Sequence, residues 1–269
     1  MHPLLVVVAV AGAVSAFCWV ASLITKDTSW VDRLWSIVPA VYVWIFAAAA
    51  GLQDVRLDIM AVLVTLWGAR LTFNFARKGG YTGMEDYRWA ILRGRMPGWA
   101  FQLFNLFFIV LYQNALLVLI TLPALTAYEN RGTPFGGLDI LAAVLFLGAL
   151  IGETIADQQQ WDFHRAKKAA ADAGRAPEGF LRSGLWRFSR HPNFFFEQAQ
   201  WWILVIFAIS AAGSPWQWTV VGALLLTVLF VGSTIFTESI TRSKYPEYAE
   251  YQRTTSPIVP LPPRRTARV

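Results

Sequence analysis

The stretch from Arg182 to Glu197 gathers residue types that could hold a nucleotide-like anion. Three arginines, Arg182, Arg187 and Arg190, alternate with Trp186, Phe188 and Phe194 and run into His191, Pro192 and Asn193. Guanidinium groups suit bidentate phosphate contacts. The aromatic faces between them offer stacking surfaces for a base or another guanidinium. Pro192 suits a helix start, where the first free N–H groups favour an anion. Asn193, Glu197 and Gln200 are four and three residues apart, so they share one helix face beside this basic loop. A basic loop that only touches lipid headgroups fits the same spacing, and from spacing alone both readings stand.

Other polar groups fall inside apolar surroundings: Arg70 with Asn74, then Asn105, Gln113 and Asn114, then Glu153 with Asp157. Glu238 and Arg242 are four apart and could pair as helix neighbours. Ionisable groups within membrane spans are functional hypotheses by default, whereas Asn105, Gln113 and Asn114 read as polar glue between helices. Asp32 carries two readings, a reactive carboxyl or a salt bridge to Arg33 or Lys26 at a membrane surface. No dinucleotide or P-loop fingerprint occurs, and there is no C-x-x-C, no H-E-x-x-H and no nucleophile elbow. The glycine-rich segment 79–83 reads as a turn.

The elements that must position these groups follow from composition. The chain has 269 residues, 56% apolar and only 15% charged, with 13 Trp and 19 Phe. Disorder requires the opposite balance. One cysteine, Cys18, excludes a disulfide scaffold, and three histidines leave no His-rich metal site. A polytopic membrane protein remains. A span needs ~20 mostly apolar residues, and seven segments qualify: 3–24, 34–52, 59–75, 99–125, 138–155, 194–212 and 217–235. The first lacks the basic n-region of a cleaved signal and reads as a retained helix. Gly213-Ser214-Pro215 makes the turn between the last two. A long polar stretch, 156–191, separates spans five and six, and residues 257–269 read as an extended Pro/Arg-rich tail.

With the N-terminus outside and the C-terminus cytoplasmic, 20 of the 23 basic residues fall on the cytoplasmic side. Arg56 and Arg131 stay outside, and Arg70 lies within a span. That asymmetry is a positive-inside signal, and it accounts for the net charge of +6 without nucleic acid. The expected fold is therefore an all-α bundle of seven transmembrane helices forming one polytopic domain. No internal repeat of the transporter kind is visible.

The segment Ser189-Arg190-His191-Pro192-Asn193-Phe194, followed by Glu197, resembles the C-terminal motif of the steroid 5α-reductase superfamily, above all its uncharacterised bacterial branch. Lys244-Tyr245-Pro246-Glu247-Tyr248-Ala249-Glu250-Tyr251 is similar to the family's ending, and Ser29-Trp30-Val31-Asp32-Arg33-Leu34-Trp35-Ser36 to its beginning. The resemblance covers most of the chain and is strongest over 152–260. It implies a seven-helix bundle in a bacterial-type inner (plasma) membrane, with the cofactor on the cytoplasmic side. It also implies an NADPH-dependent oxidoreductase that reduces the carbon–carbon double bond of a lipid-soluble enone. By motif, Asn193 and Glu197 match cofactor contacts, Asp157 matches an aspartate ending helix five, and Arg165 matches a phosphate-binding arginine. Arg187, Arg190, His191, Glu238, Arg242 and Tyr248 join that cofactor set. Asp32 falls where the reductases carry a substrate-facing glutamate. Trp67 falls where they carry a tyrosine, three residues before Arg70. This is a departure, because an indole donates only an N–H and cannot act as a phenolic acid.

Similar R-H-P motifs also occur in isoprenylcysteine methyltransferases of membranes, which use S-adenosylmethionine, so a membrane methyltransferase is the competing expectation. In the reductase reading a donor must stabilise the charge that grows on the carbonyl oxygen, and an acid must protonate the α-carbon. The catalytic candidates are Asp32, Arg70 and Trp67. The expected partners are a lipid-soluble small molecule and membrane lipids, with neither nucleic acid nor metal.

Overall fold

The computed structural model describes residues 1–176 and 178–264. The chain is all-helical, 76% helix, and no strand occurs among the described residues. Among the described residues, seven helices are long and apolar enough to cross a membrane, at Pro3–Thr25, Trp30–Ala49, Val55–Arg77, Gly98–Glu129, Gly137–Asp172, Pro192–Ala212 and Trp218–Lys244. Each matches one expected span.

Three details differ from the sequence-based expectation, each for a local reason. The second span is two helices, α2 (Trp30–Trp35) and α3 (Val38–Ala49), following α1 (Pro3–Thr25). Pro39 lacks an N–H and its ring would clash with the carbonyl four residues back, so α2 stops at Trp35. Asp32 thus lies within a short helix rather than before one. The fourth span consists of α6 (Gly98–Phe104), a π-helical segment (Asn105–Tyr112) and α7 (Gln113–Glu129). The fifth, α8, runs on to Asp172, so much of the expected polar loop 156–191 is helix. At 1.5 Å per residue its 36 residues reach about 54 Å, well past a ~30 Å hydrocarbon layer.

The remaining elements are α4 (Val55–Arg77), α5 (Tyr87–Arg95), α9 (Pro192–Ala212), α10 (Val221–Lys244) and α11 (Tyr248–Thr254). The chain divides into two compact units. The first comprises Met1–Val144 with Trp202–Leu225, and the second Leu145–Trp201 with Leu226–Val269. In the first unit helices approach at glycines. A Cβ on Gly68 would lie 2.3 Å from the Ser36 carbonyl oxygen, and one on Gly222 2.1 Å from that of Leu119. The buried Arg56 guanidinium donates to Asp139 at 2.7 and 3.1 Å, and Ser210 donates to the same carboxylate at 2.8 Å. These bonds tie α4 to the start of α8 and the end of α9.

In the second unit the Gly152 backbone leaves room for the Phe196 ring, and Phe180 stacks on Tyr251 at 5.4 Å. The tail is extended but docked. Arg190 N donates to Ser256 O at 2.8 Å, and Leu261 N to Phe188 O at 2.9 Å. Residues 265–269 of the expected tail lie outside the described residues.

Candidate functional site

In the second unit a 3-10 turn (Gly184–Arg187) delivers the chain to the start of α9 at Pro192. The Ser189 side chain accepts from His191 N at 3.1 Å and donates to Ile258 O at 2.6 Å. This fixes the turn and aims Arg190 inward. There Glu238 of α10 is buried and collects donors from four side chains. Arg190 Nε and Nη2 reach its two oxygens at 2.6 and 3.0 Å. Gln252 Nε2 donates at 2.8 Å, Tyr248 OH at 3.3 Å, and His191 Nε2 lies 3.1 Å away. The remaining Arg190 nitrogen donates to the carbonyls of Gln252 and Thr255. A carboxylate this deep is tolerable because a bidentate guanidinium and further hydrogen bonds replace its hydration.

Two expectations change here. Glu238 does not pair with Arg242, because α10 turns Glu238 into the unit while Arg242 faces out. Arg190 is enclosed in an internal network, whereas Arg165, Arg182, Arg187 and Arg242 are exposed. Burial and the nearby Glu238 charge push the Tyr248 phenol up. Burial does the same to Tyr251, with Glu238 adding to it against the opposing pull of Arg190. Both phenols are therefore donors across the neutral range, and Tyr251 donates to the Trp186 carbonyl.

The face of Asn193, Glu197 and Gln200 carries two buried pairs. Gln200 donates to Glu153 at 2.6 Å, and Trp201 Nε1 donates to Glu197 at 3.2 Å. Asp157 is buried. Asn193 is half-buried, and its amide oxygen has no hydrogen-bond partner. A groove of about 620 Å³ opens beside the Glu238 network, lined by Ile235, Glu238, Ser239, Arg242, Ser243 and Gln252.

The first unit holds the other candidates. Asp32 accepts from Trp89 Nε1 at 2.9 Å. It has no ion pair with Arg33, which turns to Asp27 at 2.6 Å and to Gly80 O at 3.0 Å. The turn 79–83 and α5 are thereby bound to α2. Thr28 donates twice to Glu85 and Ser29 Oγ accepts from Asp86 N, all at 2.9 Å. Burial alone would raise the Glu85 carboxyl, but Arg93 and the two Thr28 donors outweigh it and hold it low. Trp67 is fully buried and Arg70 half-buried on α4. Trp89, Gln252 and Tyr251 were not singled out from sequence. Their partners lie 57, 14 and 65 residues away, beyond any helix-face spacing that could reveal them. Among the described residues no group of three or more His, Cys, Asp or Glu side chains could hold a metal.

Seven apolar spans in an all-helical chain make this a multi-pass membrane protein. It belongs to the family described as protein of unknown function (DUF1295), which matches residues 18–255 and lies in the steroid 5α-reductase-like superfamily. It is 40% identical over 252 residues to the uncharacterized protein C594.04c of Schizosaccharomyces pombe. That match covers 87% of this chain and 73% of the yeast protein. No solved structure matches the chain.

Proposed function

We propose that the protein is a membrane-embedded, NADPH-dependent reductase of a lipid-soluble enone, with its N-terminus outside and the cofactor on the cytoplasmic side. The observation that carries this reading is the Glu238–Arg190–His191–Tyr248 network beside an open groove rimmed by Arg242, Ser239 and Ser243. The residues fit the cofactor. The groove volume falls within the ~300–1,000 Å³ usual for small-molecule pockets. The orphaned Asn193 amide oxygen can accept from a carboxamide N–H. The exposed Arg165, Arg187 and Arg242 can meet phosphates.

When bound, NADPH supplies a hydride. The chain's own residues divide the remaining tasks. Glu238 holds Arg190 and His191 in place, and the start of α9 presents Asn193 and Glu197. Asp32, oriented by Trp89, faces the substrate. Arg70 offers N–H donors to a carbonyl oxygen, while the Trp67 indole can donate a hydrogen bond but not a proton. Titration of NADPH, NADH and S-adenosylmethionine into detergent-solubilised protein tests the reading. A charge-assisted phosphate contact is worth ~1.5–3 kcal/mol, so NADPH should bind about tenfold or more tighter than NADH. Equal affinities would overturn the phosphate argument. Binding of S-adenosylmethionine alone would make the protein a methyltransferase instead.

A further inference from the structure

The segment that follows α11 is extended by composition. Four of the seven residues from Pro257 to Pro263 are proline, which fixes φ and removes the N–H that a helix would need. A chain so restricted has little conformational freedom to lose on docking. It docks on the loop that precedes α9. Arg190 N donates to Ser256 O at 2.8 Å, within an isolated parallel bridge between Ser189 and Ser256. Leu261 N donates to Phe188 O at 2.9 Å, and Arg264 N closes the segment back onto Thr254 O at 2.8 Å.

Side chains complete the join. Ser189 is fully buried, and its one hydroxyl serves both sides: it accepts from His191 N at 3.1 Å and donates to Ile258 O at 2.6 Å. The Arg190 nitrogen that does not reach Glu238 donates to the carbonyls of Gln252 and Thr255. At the near end Tyr251 donates to Trp186 O. The carbonyls of Trp186 and Phe188 and the N–H of Arg190 thus all find partners between residues 251 and 261. Backbone groups that lose such partners force rearrangement, because leaving them unpaired is costly. Arg190 and His191 directly follow the bridged Ser189. A slip of the loop along the tail would therefore draw both away from Glu238.

We infer that residues 255–264 are a strap that positions the Arg190–His191 pair, with Ser189 as the positioning residue that couples loop to strap. The inference rests on the reductase reading in one respect, that the loop so held serves the cofactor.

Trypsin digestion of nucleotide-free, detergent-solubilised protein reads the strap directly. Arg187 is exposed, but the bond after it leads into Phe188, which the strap holds, so cleavage there requires local opening. Leu261→Pro removes one strap donor at a residue that is 51% exposed, and Ser189→Ala removes the coupling hydroxyl. Each should speed cleavage after Arg187 about two- to tenfold, the effect of losing a hydrogen bond. Cleavage after the exposed Arg131 of the first unit should not change, and Val259→Ala should match the wild type. Both strap variants should also bind NADPH more weakly by a similar factor. Saturating NADPH should slow their cleavage after Arg187, because coupling between the two events is reciprocal. A chain ending at Thr254 should show both effects more strongly; should it fail to fold, the two point variants still decide. Unchanged cleavage after Arg187 in both would overturn the strap. Faster cleavage with unaltered NADPH affinity would overturn its positioning role. Wild-type protein that binds no NADPH would instead overturn the reductase reading, and the cleavage contrast would still judge the strap.

Discussion

Glu238 shows why a side chain's role depends on what surrounds it. It accepts from Arg190, Gln252 and Tyr248 and lies against His191, so removing its charge strands a buried guanidinium. Breaking a buried pair from one side costs about 3–5 kcal/mol. Glu238→Gln should therefore lower the unfolding temperature in detergent clearly, whereas Arg242→Gln, at an exposed position, should leave it nearly unchanged. The phenols beside Glu238 add a pH dependence. Their folded values lie above the unfolded tyrosine value of about 10. Their stabilisation is thus full below that pH and is lost as pH rises from it through the raised folded values. Unfolding scans should show a steeper alkaline loss in the native protein than in Tyr248→Phe. The proposed reductase reading makes cofactor and substrate predictions at the same scale. Asn193→Ala should weaken NADPH binding about five- to a hundredfold, the equivalent of ~1–3 kcal/mol. Asp32→Asn should leave NADPH affinity unchanged and lower turnover. Trp89→Phe, which removes the 2.9 Å bond to Asp32, should follow Asp32→Asn. Abolished NADPH binding in Asp32→Asn would reverse the assignment.

Element by element, the spans pack where side chains are missing. Gly222 lies against the Leu119 carbonyl and Gly68 against that of Ser36, both at distances no Cβ can occupy. Close backbone approach at small residues is how helices associate without a hydrophobic driving force between them. Backbone atoms cannot move aside as a flexible side chain does. Gly222→Ala should therefore destabilise the protein, whereas Gly148→Ala, with nothing within 4 Å of the added methyl, should not. Thermal unfolding of both variants checks the contrast, and equal stability would remove the close approach from the account. The turn and short helix after α4 illustrate the same dependence on neighbours. Turn chemistry over 79–83 is visible in its glycines, but its anchoring through Arg33, Thr28 and Ser29 depends on α2 lying beside it.

For the molecule as a whole, charge asymmetry decides orientation. Cytoplasmic retention of Lys and Arg should place the N-terminus outside and the C-terminus inside. Reporter fusions at both ends would read this directly, and both ends on one side would remove an odd number of crossings. The sequence by itself determined the class, the seven spans and the candidate loop, because span length and apolarity are local quantities set by the bilayer. The start of α9 at Pro192 is also local, since proline suits the first turn and nothing beyond it needs to be known. Tertiary structure alone decided which ionisable groups became internal. Arg190 and Glu238 lie 48 residues apart, and Asp32 and Trp89 lie 57 apart. Such pairs form only when helix packing turns particular faces together, and buried charges then select partners by geometry and desolvation rather than by spacing. The break before Pro39 was not anticipated, because an apolar run of span length reads as one helix. Nor was the π-helix that buries both Asn105 and Asn114, because an α-helical period sets residues nine apart on opposite faces.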